Sequence, residues 1–161
     1  MADPRKGRCL PVDQIGAALG GTVAGTNAEG QVTSAYWAAG TFAAGAGALF
    51  INAGFVVDTY AYYDAEKRGV NFDGMLASLN AAEAGTVVVL HACCHNPTGY
   101  DITQEQWDQV IAVVKARGLT PFLDMAYQGF GHGIAEDGAV IGKFVAAGLT
   151  FFVSTSFSKS F

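Results

Sequence analysis

The sequence contains no apolar run of the roughly 18 residues that a membrane-spanning helix requires, and no block of like charge. Lysine and arginine number 9 against 14 acidic residues, a formal net charge of −5. That balance lacks the basic face by which a protein holds nucleic acid or an anionic membrane surface, so neither partner is expected. Cysteine is scarce too: Cys9, Cys93 and Cys94 are an odd number with two adjacent, which argues against a disulfide framework and for thiols in a reducing compartment. Adjacent cysteines on an extended chain point to opposite sides of it, so a tetrahedral site shared with His91 or His95 is not expected and no metal is assigned. The first eleven residues are partly basic, but the Gly/Ala-rich stretch after them lacks a compact apolar core. No secretory leader is expected, and the location is read as cytoplasmic. No G-x-G-x-x-G turn stands between a strand and a helix, which disfavours a dinucleotide-binding domain.

Charge is almost missing from one long stretch: between Gln14 and Val57 the only charged side chain is Glu29, and glycine and alanine dominate. Residues 1–47 are therefore set apart as an atypical segment, and residues 48–161 as the organised part. With 51% hydrophobic residues in 161, the chain can bury the core of one domain.

From Phe55 the pattern sharpens. Phe55 to Tyr63 is β-branched and aromatic and predicts a strand, with a polar connection from Asp64 to Gly69. Asp73 is the expected N-cap of a short helix carrying Met75, Leu76 and Leu79 on one face. After Gly85, the run Thr86 to His91 is apolar throughout, as in a parallel strand covered on both sides. Thr103 and Gln106 have capping-box spacing for a helix through Arg117, with Trp107, Val110, Ile111 and Val114 as its buried stripe and Gly118 as its stop. Leu119 to Met125 reads as the next strand. A glycine-rich loop from Gln128 to Gly133 comes after it, then a helix from about Asp137 to Ala147, then a buried strand from Leu149 to Ser154. Strand and helix alternate, so the expected fold class is α/β with a mostly parallel sheet and right-handed crossovers.

Open sheets of this kind bind ligands beyond the carboxyl ends of their strands. Three strands here end in polar residues: His91-Ala92-Cys93-Cys94-His95-Asn96-Pro97-Thr98-Gly99, then Asp124-Met125-Ala126-Tyr127, then Ser154-Thr155-Ser156-Phe157-Ser158-Lys159. If the strands are neighbours, Asn96, Asp124, Tyr127, Ser156 and Lys159 converge on one edge. An amide, a carboxylate, a phenol, a hydroxyl and an amine are the groups that a pyridoxal phosphate site uses.

In order and spacing, HNPTG, D-x-A-Y and S-x-S-K resemble the class I aminotransferases of fold type I, in the aspartate/aromatic branch. The likeness runs from about residue 48 to the end and includes AYYDAE, FDGML, AYQGF and SFSKSF. It implies a three-layer sandwich that is part of the cofactor-binding large domain, with pyridoxal 5'-phosphate as cofactor. Amino acids and 2-oxo acids are the implied substrates, aspartate or aromatic amino acids among them, and a homodimer the implied assembly. Lys159 is implied as the residue that joins the cofactor and moves the substrate's α-proton. Asp124 is implied at the ring nitrogen, Asn96 and Tyr127 at the phenolic oxygen, Asn96 also at the substrate, and Ser156 at the phosphate. Ser154 and Ser158 compete with Ser156, and His91 and His95 are candidates for the surroundings. Gly21, Thr22 and Trp37 loosely resemble the family's phosphate loop and ring-stacking tryptophan. Their spacing departs from the family, so a rearranged segment with coincidental glycines is the stronger reading. The arginines expected at the phosphate and at the substrate carboxylate have no counterpart in these residues, so the chain is expected to be an incomplete enzyme. The alternative is a truncated or degenerate α/β module without catalysis.

Overall fold

The structure, a computed structural model, describes residues 55–156 in full and the backbone of 10–11, 31–32 and 35–38. The expected phosphate-loop residues Gly21 and Thr22, together with Cys9, Ser158 and Lys159, lie outside the described residues. Nine strands and three helices are described: β1 Leu10–Pro11, β2 Gln31–Val32, β3 Ala35–Ala38, β4 Val57–Tyr60, β5 Tyr63–Asp64, β6 Gly69–Val70, α1 Phe72–Ala81, β7 Val87–His91, α2 Gln104–Arg117, β8 Thr120–Met125, α3 Ile134–Ala146 and β9 Phe152–Thr155.

The main sheet has five strands in the order β4-β3-β7-β8-β9, and every described pairing in it is parallel. This is the expected α/β architecture. α2 and α3 are the crossovers from β7 to β8 and from β8 to β9, and α1, α2 and α3 touch in series to form a helical layer. Val88, Leu90 and Leu123 meet Met75, Leu79, Trp107, Val110, Val114 and Phe144 in the core on that side. Val87 and Val89 alternate to the opposite face and are buried as well. The sheet is thus covered on both sides at β7, which is why this strand reads as an uninterrupted apolar run.

α2 forms as expected. The Thr103 hydroxyl accepts from Gln106 N–H at 3.2 Å, the Gln106 side chain accepts from Thr103 N–H at 2.8 Å, and Gly118 closes the helix at φ 64°. Four other boundaries are corrected. The N-cap of α1 is Asn71, whose side chain accepts from Gly74 N–H at 3.1 Å, while Asp73 lies in the first turn. The strand expected over 55–63 breaks after Tyr60: Tyr62 C=O accepts from Asn71 N–H at 2.7 Å, and the Tyr62 ring turns into the core. The polar connection at 64–69 is a tight hairpin between β5 and β6, with the Asp64 carboxylate accepting from Glu66 and Lys67 N–H and Arg68 at φ 50°. α3 begins at Ile134, a turn before the expected start, with Gly133 as an N-cap that has no side-chain bond.

The last strand is shifted as well. Leu149 N–H bonds Phe144 C=O at 3.2 Å and both Leu149 and Phe151 pack on the core, so the chain joins the sheet only at Phe152. β9 is not a buried strand: it is the outermost strand described on its side, and Val153 is 47% exposed.

Candidate active site

Parallel register decides which polar residues meet. His91 on β7, Asp124 on β8 and Ser154 on β9 are level with one another across three strands. Beyond them the chain leaves each strand at the same edge of the sheet, so the residues after β7 and after β8 face each other.

After β7 the loop turns sharply. Cys94 sits at φ 49° and the Asn96-Pro97 bond is cis. The Asp101 carboxylate holds the loop from below, accepting from Cys94 N–H at 2.8 Å and from His95 N–H at 2.7 Å. His95 is 2% exposed and stacks on Tyr62 with ring centroids 3.8 Å apart. Its Nδ1 meets the Thr98 hydroxyl at 2.7 Å, while Nε2 is buried with no hydrogen-bond partner among the described residues. The tautomer with the proton on Nδ1 leaves only a lone pair at Nε2, which costs less to leave unpaired than an N–H. Burial, with His91 adding, pushes His95 down to about 3, so the ring is neutral. His91 is also held below its ordinary value, by burial working against the attraction of Asp124 and Asp101. Its Nδ1 accepts from Asn96 N–H at 3.2 Å, which orients the backbone that carries the Asn96 amide.

After β8, Asp124 Oδ1 takes two bonds, from Ala126 N–H at 3.0 Å and from the Ser154 hydroxyl at 3.3 Å. Among the described residues Oδ2 has no hydrogen bond. Tyr127 comes next, and its hydroxyl accepts from Asn96 Nδ2 at 3.3 Å, a contact 31 residues apart in sequence. The loop beyond is gathered by Asp137 from the first turn of α3: Oδ2 accepts from Gly129 N–H at 2.8 Å and Gly131 N–H at 3.0 Å, and Oδ1 from His132 N–H at 2.9 Å. Burial pushes this carboxyl up, but the three N–H groups outweigh it and hold Asp137 below the usual carboxylate range.

Asn96, Asp124 and Tyr127 are therefore brought to one edge. Ser156 stands one residue past β9, half-buried. Ser154, a competitor for the phosphate role, bonds Asp124 instead. Trp37 lies in β3, one residue beyond the Tyr36–Val88 pair. Asp101, Asp137 and the Tyr62 stack went unnoticed in the sequence, because a carboxylate that grips backbone N–H groups five to eight residues away has no composition signature. The expectation that Cys93 and Cys94 diverge is corrected: with Cys94 in the left-handed region, both sulfurs and an Asp137 oxygen lie within 4.8 Å of one another. No helix among the described residues is long and apolar enough to cross a membrane.

Comparison with known proteins adds to this geometry. A family model described as aminotransferase class I and II matches residues 46–161. Over 114 residues the chain is 60% identical to an aspartate aminotransferase of Pseudomonas aeruginosa, covering 71% of this chain and 29% of that protein. Over 114 residues it is 54% identical to an aromatic-amino-acid aminotransferase of Escherichia coli, with the same two coverages. The crystal structure of an aromatic-amino-acid aminotransferase from Burkholderia pseudomallei, covalently bound to pyridoxal phosphate, superposes with a TM-score of 0.79 at 47% identity. That match covers 99% of this chain and 41% of the other. The chain thus spans 29% of the length of these two curated relatives.

Proposed function

The chain belongs to the class I and II aminotransferases, and from that premise we propose that its sheet edge is the pyridoxal phosphate site of an enzyme that transaminates aspartate or aromatic amino acids with a 2-oxo acid as acceptor. The observation that carries the reading is the contact between Asn96 Nδ2 and the Tyr127 hydroxyl at 3.3 Å, with Asp124 at the same edge. These groups suit the cofactor: an amide and a phenol can both donate to its phenolic oxygen, and Asp124 has a carboxylate oxygen without a local bond to set against a ring cation.

Bound pyridoxal phosphate supplies an aldehyde that captures an amine and a conjugated ring that withdraws electrons. The chain's residues would supply the rest. Asp124, oriented by Ala126 N–H and the Ser154 hydroxyl, keeps the ring nitrogen protonated by charge attraction. Tyr127 and Asn96 stabilise negative charge on the phenolic oxygen, and Asn96 also meets the substrate. Ser156 would donate to the phosphate, with Ser158, Gly21 and Thr22 as secondary candidates there and Trp37 as the candidate to stack on the ring. Lys159 would hold the cofactor through its amine and would be the group that carries the proton at the substrate's Cα. Residues 48–161 are on this reading part of the large domain of a cytoplasmic homodimer.

The test is borohydride reduction of the protein in pyridoxal phosphate, followed by peptide mass mapping. The pyridoxyl group is expected on Lys159, with loss of that adduct in Asp124→Ala and Tyr127→Phe outpacing any loss of fold. Label spread over Lys67, Lys115 and Lys143 instead would support a non-catalytic module of the same fold.

A further inference from the structure

Cys93, Cys94 and Asp137 take no part in the reaction proposed above, yet they meet at a distinctive place. Cys93 and Cys94 stand on the loop of Asn96; Asp137 holds the loop beyond Tyr127. The left-handed turn at Cys94 swings its side chain to the side of Cys93, and the two thiols and the carboxylate lie within 4.8 Å of one another. We propose that these three side chains form a site for a single thiophilic divalent cation of the zinc or cadmium type, which would tie the two loops of the sheet edge together.

The donor set suits such an ion. Two sulfurs and one carboxylate oxygen are ligands of a borderline-soft metal, and a water would complete a tetrahedron. Tetrahedral bonds of about 2.3 Å to sulfur and 2.0–2.2 Å to oxygen put ligand atoms about 3.5–3.8 Å apart. The present spacing therefore closes by at most about an ångström, within reach of side-chain rotation. Asp137 is pre-oriented, since three backbone N–H groups fix its carboxylate, as outer partners do for metal ligands. Oδ1 takes only the His132 N–H and retains a lone pair for the ion. Cys93 and Asp137 are buried, whereas Cys94 is half-exposed and gives the ion a way in.

Both thiols hold their protons near neutral pH. Burial pushes the Cys93 thiol up to about 12, with Cys94 and Asp137 adding to it, and burial, then Asp137, raises Cys94. Binding is then an exchange: the cation enters, one proton leaves each thiol, and the two thiolates and the carboxylate coordinate it. Affinity should rise steeply with pH.

The experiment is a cadmium titration of the full 161-residue protein, kept reduced with a phosphine, watched by ultraviolet thiolate-to-metal charge transfer and by proton release in weak buffer. One ion per chain and two protons per ion are expected, and zinc in large excess should displace cadmium with loss of the band. Cys93→Ser and Cys94→Ser should each weaken binding by at least about a hundredfold, beyond the 10–100-fold typical of an outer partner. Cys9→Ser should change nothing. Asp137→Asn keeps an acceptor for the loop amides and should weaken binding by about tenfold while the band persists. If that variant fails to fold by circular dichroism, the serine variants, whose replaced atoms hold no loop amide, still decide the matter. A band that survives Cys93→Ser with Cys94→Ser, a band lost in Cys9→Ser, or no binding by the reduced wild type at millimolar cadmium would overturn the proposal.

Discussion

The loop after β7 and the loop after β8 do the same task by different means. Each leaves a parallel strand at the same edge, each presents one group of the Asn96–Tyr127 contact, and each is gripped by an aspartate that comes later in the chain. Asp101 grips two amides from outside its helix, because Thr103 and Gln106 have already capped α2. Asp137 grips three amides from within the first turn of a helix whose N-cap, Gly133, has no side-chain bond. The first grip has an exposed carboxylate and a buried loop residue, His95, backed by stacked rings; the second has a buried carboxylate and exposed loop residues. A helix start with its own cap leaves the neighbouring carboxylate free for a loop, and one without a cap uses its first-turn carboxylate for both.

That contrast can be broken, and the largest effect is expected at the buried carboxylate, Asp137. Asp137→Ala removes three hydrogen bonds to a charged, buried acceptor, a loss of about 3–4 kcal/mol in urea unfolding. Its hydrogen exchange should speed up first at Gly129, Gly131 and His132. A loss below about 1 kcal/mol would show that solvent replaces the carboxylate at no cost.

Acid should act on the first loop through His95. Its folded pKa of about 3 lies below the ordinary 6.5, so the unfolded chain binds the proton more readily. Stability from this residue is then complete above about pH 6.5 and is lost as pH falls towards 3, by up to about 1.4 kcal/mol per unit within the window. His95→Phe keeps a ring on Tyr62 and should flatten that slope; an unchanged slope would assign the acid sensitivity elsewhere.

Asp101→Ala should cost less than Asp137→Ala, about 1–2 kcal/mol, because it gives up two hydrogen bonds rather than three and its carboxylate is exposed to solvent. The smallest effect is expected from Thr103→Ala, about 1 kcal/mol for a lost N-cap, with Asp101 still in place. If Thr103→Ala also loosened the Cys94 and His95 amides in hydrogen exchange, cap and grip would be one unit and the contrast between the loops would fail.

Local rules written in the residues were enough for much of the fold. The capping box at Thr103 and Gln106, the αL stop at Gly118 and the doubly buried run of β7 each come from contacts within a few residues or from burial alone. Where competing local solutions existed, sequence reasoning chose wrongly. Asp73 looked like a cap until Asn71 proved closer to the helix start. The helix expected from about Asp137 starts at Ile134, and the Asp137 carboxylate turns back to the glycine loop. Leu149 reads as strand because it is apolar, yet it serves the helical side of the core before the chain reaches the sheet.

The sequence by itself determined the alternation of strand and helix, the polar residues at the ends of the strands, and the chemical types at the candidate site. Those depend on periodicity and on residue chemistry, which are local. Only the tertiary structure decided that Ser154 bonds Asp124, that His95 is a buried neutral ring against Tyr62, and that two adjacent cysteines face one aspartate. The first depends on the register between parallel strands, and the last on a left-handed residue at Cys94. Register and turn geometry bring together groups 30 to 33 residues apart, and no periodicity in the chain records them.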